Sequence, residues 1–226
     1  MEAPAATLEP ASVAGAGDAP EVSPPTGPED ILLAVQDILA LDEMPFSRVA
    51  AAFARHSAKD HGHAISRESF AAALRDLHAV TQRALVAQNV PFDAAAVAAE
   101  LDALAPQLYA LCDTDGDGKL SAPELAAGLV ALSGGEPRDK AVTLFRLFDL
   151  DGSGTITPAE METCVGAILK TQRVLAGAPP AGVELPPVEA VAKATTAACF
   201  ADADKDGNGV LTLDEYLEWY LADSTA

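Results

Sequence analysis

Positive charge is scarce in this chain: 14 lysines and arginines stand against 34 aspartates and glutamates, a formal net charge of −20 over 226 residues. Such a field repels nucleic-acid backbones and anionic membrane surfaces and draws cations and basic partners. No run of 18 or more apolar residues occurs, so no membrane-spanning helix is expected. Aromatics make up only 5% and alanine dominates the apolar half, so the core is expected to be helical and lightly built. Cysteine is limited to Cys112, Cys164 and Cys199, an odd number with no C-x-x-C spacing. That usage reads as reduced thiols in an intracellular protein, in its cytoplasm, buried as small hydrophobes. No G-x-S-x-G, no phosphate-binding P-loop and no nucleophile–base set is present, so the chain is not expected to be an enzyme. Residues 1–28 contain no basic residue and no sustained apolar run, which fits neither a signal nor a transit peptide. They read as a disordered, acidic, Ala/Pro-rich tail. Met1-Glu2 does not match the N-terminal Met-Gly pattern for acylation.

What the chain does have is oxygen ligands in a repeated order. In Asp113–Glu124, DTDGDGKLSAPE, Asp113, Asp115 and Asp117 stand at positions 1, 3 and 5 of a 12-residue loop. Calcium takes six to eight oxygen ligands, and alternate side chains let a short loop wrap it. Gly118 is at position 6, where the backbone turns sharply. Lys119 at position 7 needs to offer only its carbonyl. Ser121 at position 9 ligates directly or through water, and Glu124 at position 12 returns with two carboxylate oxygens. A second copy is filled by Asp149, Asp151, Ser153, Thr155, Thr157 and Glu160, and a third by Asp204, Asp206, Asn208, Val210, Thr212 and Glu215. A rival frame from Asp202 puts Leu213 at position 12, where no carboxylate is available. Three complete loops imply three Ca2+ sites.

The chain resembles the calmodulin-like EF-hand superfamily over roughly residues 45–222. The resemblance implies an all-α fold: helix–loop–helix hands in two pairs, with short strand bridges between paired loops at position 8. Those residues are Leu120, Ile156 and Leu211. Ile65, followed by Ser66 and Phe70, resembles the second half of a fourth loop, with Ser69 where the bidentate carboxylate belongs. This reads as a degenerate hand kept for pairing. Ile65 to Leu120 is 55 residues, Leu120 to Ile156 is 36, and Ile156 to Leu211 is 55. That symmetry suggests a duplicated two-hand unit. The degenerate hand is expected to pair with the first loop, and the second loop with the third. The expected domains are residues 29–135, a pair with a preceding helix, and 136–226, a second pair.

Between the loops, apolar spacing predicts helices over Pro28–Leu41, Pro45–Arg55, Ser66–Asn89, Ala122–Leu132, Asp139–Phe148, Pro158–Ala176 and Val188–Ala203. Asp93 is placed as an N-cap, and Pro106 is expected to kink or restart the helix that follows. The first helix packs over the core or fills a target groove from within. His56, His61 and His63 match no standard metal spacing and read as solvent-facing loop histidines. The resemblance implies a calcium sensor that opens an apolar groove for an amphipathic helix of a target protein. The aromatics Phe145, Phe148, Phe200, Tyr216, Trp219 and Tyr220 favour the C-terminal pair for that groove. A calcium buffer, or a regulatory subunit of an enzyme, is the alternative.

Overall fold

The computed structural model describes residues 27–41, 44–57, 64–87, 93–132, 134 and 136–223. Residues 1–26 of the expected tail lie outside them, as do His61 and His63. Helix α1 (Pro28–Leu39) opens with proline at its first turn and with Glu29 and Asp30 beside its positive end. It stops two residues earlier than its apolar spacing suggests. Ala40 turns left-handed, and the Leu41 N–H donates back to the Gln36 carbonyl at 3.1 Å. Helices α2 (Phe46–Ser57) and α3 (Arg67–Ala87) flank strand β1 (Ala64–Ile65). Helix α4 (Ala94–Cys112) is capped by Asp93, which accepts from the amides of Ala95 and Ala96 at 3.0 Å. The helix carries Pro106 inside it as one continuous element, so the restart is not seen. Strand β2 (Leu120–Ser121) leads into α5 (Ala122–Leu132). Then follow α6 (Pro137–Phe148), β3 (Thr155–Ile156), α7 (Pro158–Ala176), α8 (Val188–Ala203), β4 (Leu211–Thr212) and α9 (Leu213–Asp223).

The strands set the pairing. Ile65 faces Leu120 across β1–β2, and Ile156 faces Leu211 across β3–β4, both antiparallel. All four side chains are buried. One apolar cluster then runs from α1 to α9 through both pairs. Much of the contact between pairs is α5 against α7, joined by α2 against α6. There the Ser47 N–H, free at the start of α2, donates to the Asp139 carboxylate of α6 at 2.9 Å. Helix α1 lies against α3, α4 and α5 with Ile31, Val35 and Leu39 buried. Its Gln36 amide donates to the Leu132 carbonyl at 3.0 Å, and the Thr81 hydroxyl donates to the Leu39 carbonyl at 2.8 Å.

His56 corrects an expectation. It belongs to α2, is buried, and lies 2.9 Å from the Asp76 carboxylate of α3. The apolar face that α2 turns inward extends into its last turn, and a carboxylate there gives the imidazole a partner.

Close approach of α4 to α5 depends on Gly128. A Cβ built there would lie 2.5 Å from the Cys112 sulfur. Alanine would favour the helix by about 1 kcal/mol, but overpacking a filled core costs about 1–3 kcal/mol. Gly128→Ala is therefore expected to lower the unfolding free energy by about 1 kcal/mol. Adding Cys112→Ala should recover most of the loss, measured by urea denaturation of both variants.

Candidate metal sites

Each of the three loops folds by the same local bonds. The position 1 carboxylate accepts from the position 6 glycine amide: Asp113 from Gly118 at 3.1 Å, Asp149 from Gly154 at 2.9 Å, Asp204 from Gly209 at 2.9 Å. These glycines have φ of 81°, 83° and 83°, a region that side-chain-bearing residues rarely adopt. Position 3 accepts from the amide at position 5: Asp115 from Asp117, Asp151 from Ser153, Asp206 from Asn208. Position 5 accepts from the amide at position 7: Asp117 from Lys119, Ser153 from Thr155, Asn208 from Val210. The chain thus winds around its own carboxylates, and each turn uses an oxygen on one side.

The position 12 glutamates close the loops. Glu124 accepts the Thr114 amide and hydroxyl on one oxygen, at 2.9 and 3.0 Å, and the Ser121 amide and hydroxyl on the other, at 3.1 and 2.7 Å. Glu160 spans the Leu150 amide at 2.9 Å and the Thr157 amide at 2.8 Å. Glu215 spans the Lys205 amide at 3.1 Å and the Thr212 amide at 2.9 Å. In every case the first turn of the exit helix is tied to both ends of its loop. Residue choice at position 9 matters here, because Ser121, Thr157 and Thr212 each add a hydroxyl donor at 2.6–2.7 Å. Thr114 is a partner that the ligand pattern did not single out; it occupies position 2, where the pattern asks for nothing.

Ligand oxygens come together in three groups, each within 4.8 Å of one another: Asp113, Asp115 and Asp117; Asp149, Asp151 and Glu160; Asp204, Asp206 and Glu215. Among the described residues no lysine, arginine or histidine pairs with these carboxylates. The Asp113 Oδ1 is buried without a hydrogen-bond partner. A buried, unpartnered carboxylate oxygen beside two further carboxylates suits a hard cation that takes oxygen ligands. Lys119 points into solvent, as a residue needed only for its carbonyl would.

Comparison with known proteins agrees. A family profile described as "EF-hand domain pair" matches residues 138–221, and one described as "EF hand" matches residues 112–130. Residues 112–130 and 138–221 are thus EF-hand sequence, and the chain resembles the calmodulin-like EF-hand superfamily. It is 32% identical over 120 residues to "Guanylyl cyclase inhibitory protein" of Lithobates pipiens, covering 53% of this chain and 54% of that protein. It is 28% identical over 128 residues to "Probable calcium-binding protein CML34" of Arabidopsis thaliana, covering 53% of this chain and 98% of that one. It is 33% identical over 63 residues to "Calcium-binding protein NCSA" of Dictyostelium discoideum, covering 28% and 34%. The chain thus spans about half the length of the frog relative. As an EF-hand protein it binds calcium.

Two of the loop carboxylates, Asp151 and Glu215, are held toward the ionised form that a cation needs. Hydrogen bonds from the Thr212 hydroxyl and amide hold Glu215 below the ordinary carboxylate value of 4.5. The Ser153 hydroxyl and amide do the same for Asp151. A carboxylate held low in the folded state favours folding above its unfolded pKa. That contribution disappears as pH falls through the folded value. Thr212→Val removes the hydroxyl donor and leaves the amide. The Glu215 carboxyl is then expected to titrate at higher pH in calcium-free protein, read from its side-chain carbon shift by NMR.

The three cysteines are free and buried. Burial, with the Glu124 charge added, pushes the Cys112 thiol up to about 12, and burial raises Cys164 and Cys199 to about 12 and 11. At neutral pH they are protonated packing residues. No helix among the described residues is long and apolar enough to cross a membrane.

Proposed function

We propose that this chain is a calcium sensor with three sites, acting inside the cell by binding a partner and not by catalysis. In the first loop Asp113, Asp115, Asp117, the Lys119 carbonyl, Ser121 and Glu124 would hold the ion. Asp149, Asp151, Ser153, Thr155, Thr157 and Glu160 would serve in the second; Asp204, Asp206, Asn208, Val210, Thr212 and Glu215 in the third. A bound calcium supplies two positive charges on one small ion, which offset the mutual repulsion of these oxygens. The pairs are proposed to divide between residues 135 and 136.

The observation that supports sensing is the placing of Glu124 and Glu160. Each stands in the first turn of its exit helix, α5 or α7, and those two helices pack on each other across the two pairs. A change in the carboxylate position at either loop therefore bears on the contact between pairs. The partner proposed is an amphipathic helix, taken by apolar surface that such a shift uncovers. The frog relative is named for inhibiting an enzyme, a function exerted on another protein.

Buffering is the second reading, and one observation favours it. Phe145, Phe148 and Tyr216, expected to furnish a groove, are buried, while Phe200, Trp219 and Tyr220 pack partly buried against the same core. Binding of the dye ANS, with and without calcium at constant millimolar magnesium, separates the two. Sensing predicts a large calcium-dependent rise in fluorescence. Saturated calcium binding by calorimetry with unchanged dye fluorescence would favour the buffer.

A further inference from the structure

The residue four positions before the loop is aromatic in all three calcium hands. It is Tyr109 in the first, Phe145 in the second and Phe200 in the third. Only Tyr109 has a hydroxyl, and that hydroxyl lies between two backbone carbonyls. It is 2.9 Å from Ile65 O, on the strand of the degenerate hand, and 3.1 Å from Gly118 O, at position 6 of the first calcium loop. The ring is buried and gripped by the degenerate hand as well. The Arg67 guanidinium lies 5.4 Å from its centroid, and Phe70 meets it edge-on at 5.4 Å and 89°.

We infer that Tyr109 is a positioning residue through which the degenerate hand presets the first calcium loop. Gly118 sits at φ 81°, a glycine with no side chain to restrain it. The carbonyl of Lys119, the next residue, is the backbone ligand assigned to this site. Holding the Gly118 carbonyl fixes the peptide that leads into it. Loop rigidity is one of the two quantities that set calcium affinity in this motif, ligand charge being the other. The degenerate hand carries Ser69 where the bidentate carboxylate belongs. It retains the Ile65 carbonyl, Arg67 and Phe70, which together place one hydroxyl against its neighbour's loop. Phe145 and Phe200 cannot make this bond, so the device belongs to the first site alone.

The inference rests on the three-site reading, and the test separates the two. Calcium titrations are run on wild type, Glu124→Gln, Tyr109→Phe and Thr81→Val, alongside amide hydrogen exchange of the calcium-free proteins. Glu124→Gln marks the first site by removing its binding step. Tyr109→Phe keeps the ring and removes the hydroxyl. It is expected to weaken that same step by about threefold to tenfold, the range of one net hydrogen bond, and leave the other two unchanged. Exchange at the Gly118, Lys119 and Leu120 amides should accelerate without calcium. Thr81→Val deletes a buried hydroxyl bond to Leu39 far from any loop, and should lower stability without altering a site. If Tyr109→Phe binds calcium as wild type does with unchanged exchange, or weakens all three steps alike, the inference is overturned. If Glu124→Gln removes no step, the three-site reading fails, and loop exchange in Tyr109→Phe still decides whether the hydroxyl presets the loop.

Discussion

Glu215→Gln is expected to abolish one calcium site, weakening it by about 100-fold or more. Loss of a partner that only orients a ligand costs roughly 10- to 100-fold in metal affinity, and Glu215 is itself assigned as a ligand with two oxygens. The amide keeps the length of the side chain but carries no charge and offers one oxygen in place of two. It also changes the closure of the loop, because the Glu215 carboxylate now accepts from both Lys205 and Thr212. Asp214→Asn, one residue away and exposed, removes the same charge from the protein without touching the loop. Its effect on calcium affinity should stay within about twofold, since a solvent-exposed charge is heavily screened. Calorimetric titration of the two variants checks the pair. Equal losses would mean that net charge, and not the loop, attracts the ion.

A second large effect is expected in α1. Val35 is fully buried and Leu33, two residues away, is 58% exposed. Val35→Asp places a carboxylate against α3, α4 and α5, where burying an unpaired charge is prohibitive unless the helix leaves its seat or the group takes up a proton. Either response should cost about 3 kcal/mol or more of stability. Leu33→Asp adds the same charge to the outer face and should change stability by less than about 0.5 kcal/mol. If α1 leaves as a unit, Val35→Asp will also bind ANS without calcium while far-UV circular dichroism stays close to wild type. Chemical denaturation and dye binding measure both quantities. Equal, small effects at the two positions would contradict the seating of α1.

The loops were legible in the sequence because their chemistry is local. Ligands alternate along a single loop, glycine marks the turn, and the strand register follows from Ile65, Leu120, Ile156 and Leu211. Helix starts were legible where a local signal announced them, as with the cap Asp93 before α4 and the proline Pro158 at the first turn of α7. Contacts between elements distant in the chain were not. Nothing in the residue pattern joins Ser47 to Asp139, or places Gly128 against Cys112. His56, close in sequence to His61 and His63, read as a loop residue, although the inward face of α2 carries it to Asp76. The aromatic set near the C-terminus read equally as groove or core, because both use the same side chains. The Tyr109 hydroxyl did leave a trace, as the one tyrosine at a position that is otherwise phenylalanine, but its two carbonyl partners emerge only when the strands pair.

The most direct test of the central claim is the number of calcium ions bound by the full chain. Equilibrium dialysis against radioactive calcium, at millimolar magnesium and physiological salt, counts them without assuming any conformational response. The account predicts three per chain, falling to two in each of Glu124→Gln, Glu160→Gln and Glu215→Gln. A wild-type value of one or none, or a value unmoved by those substitutions, would contradict it.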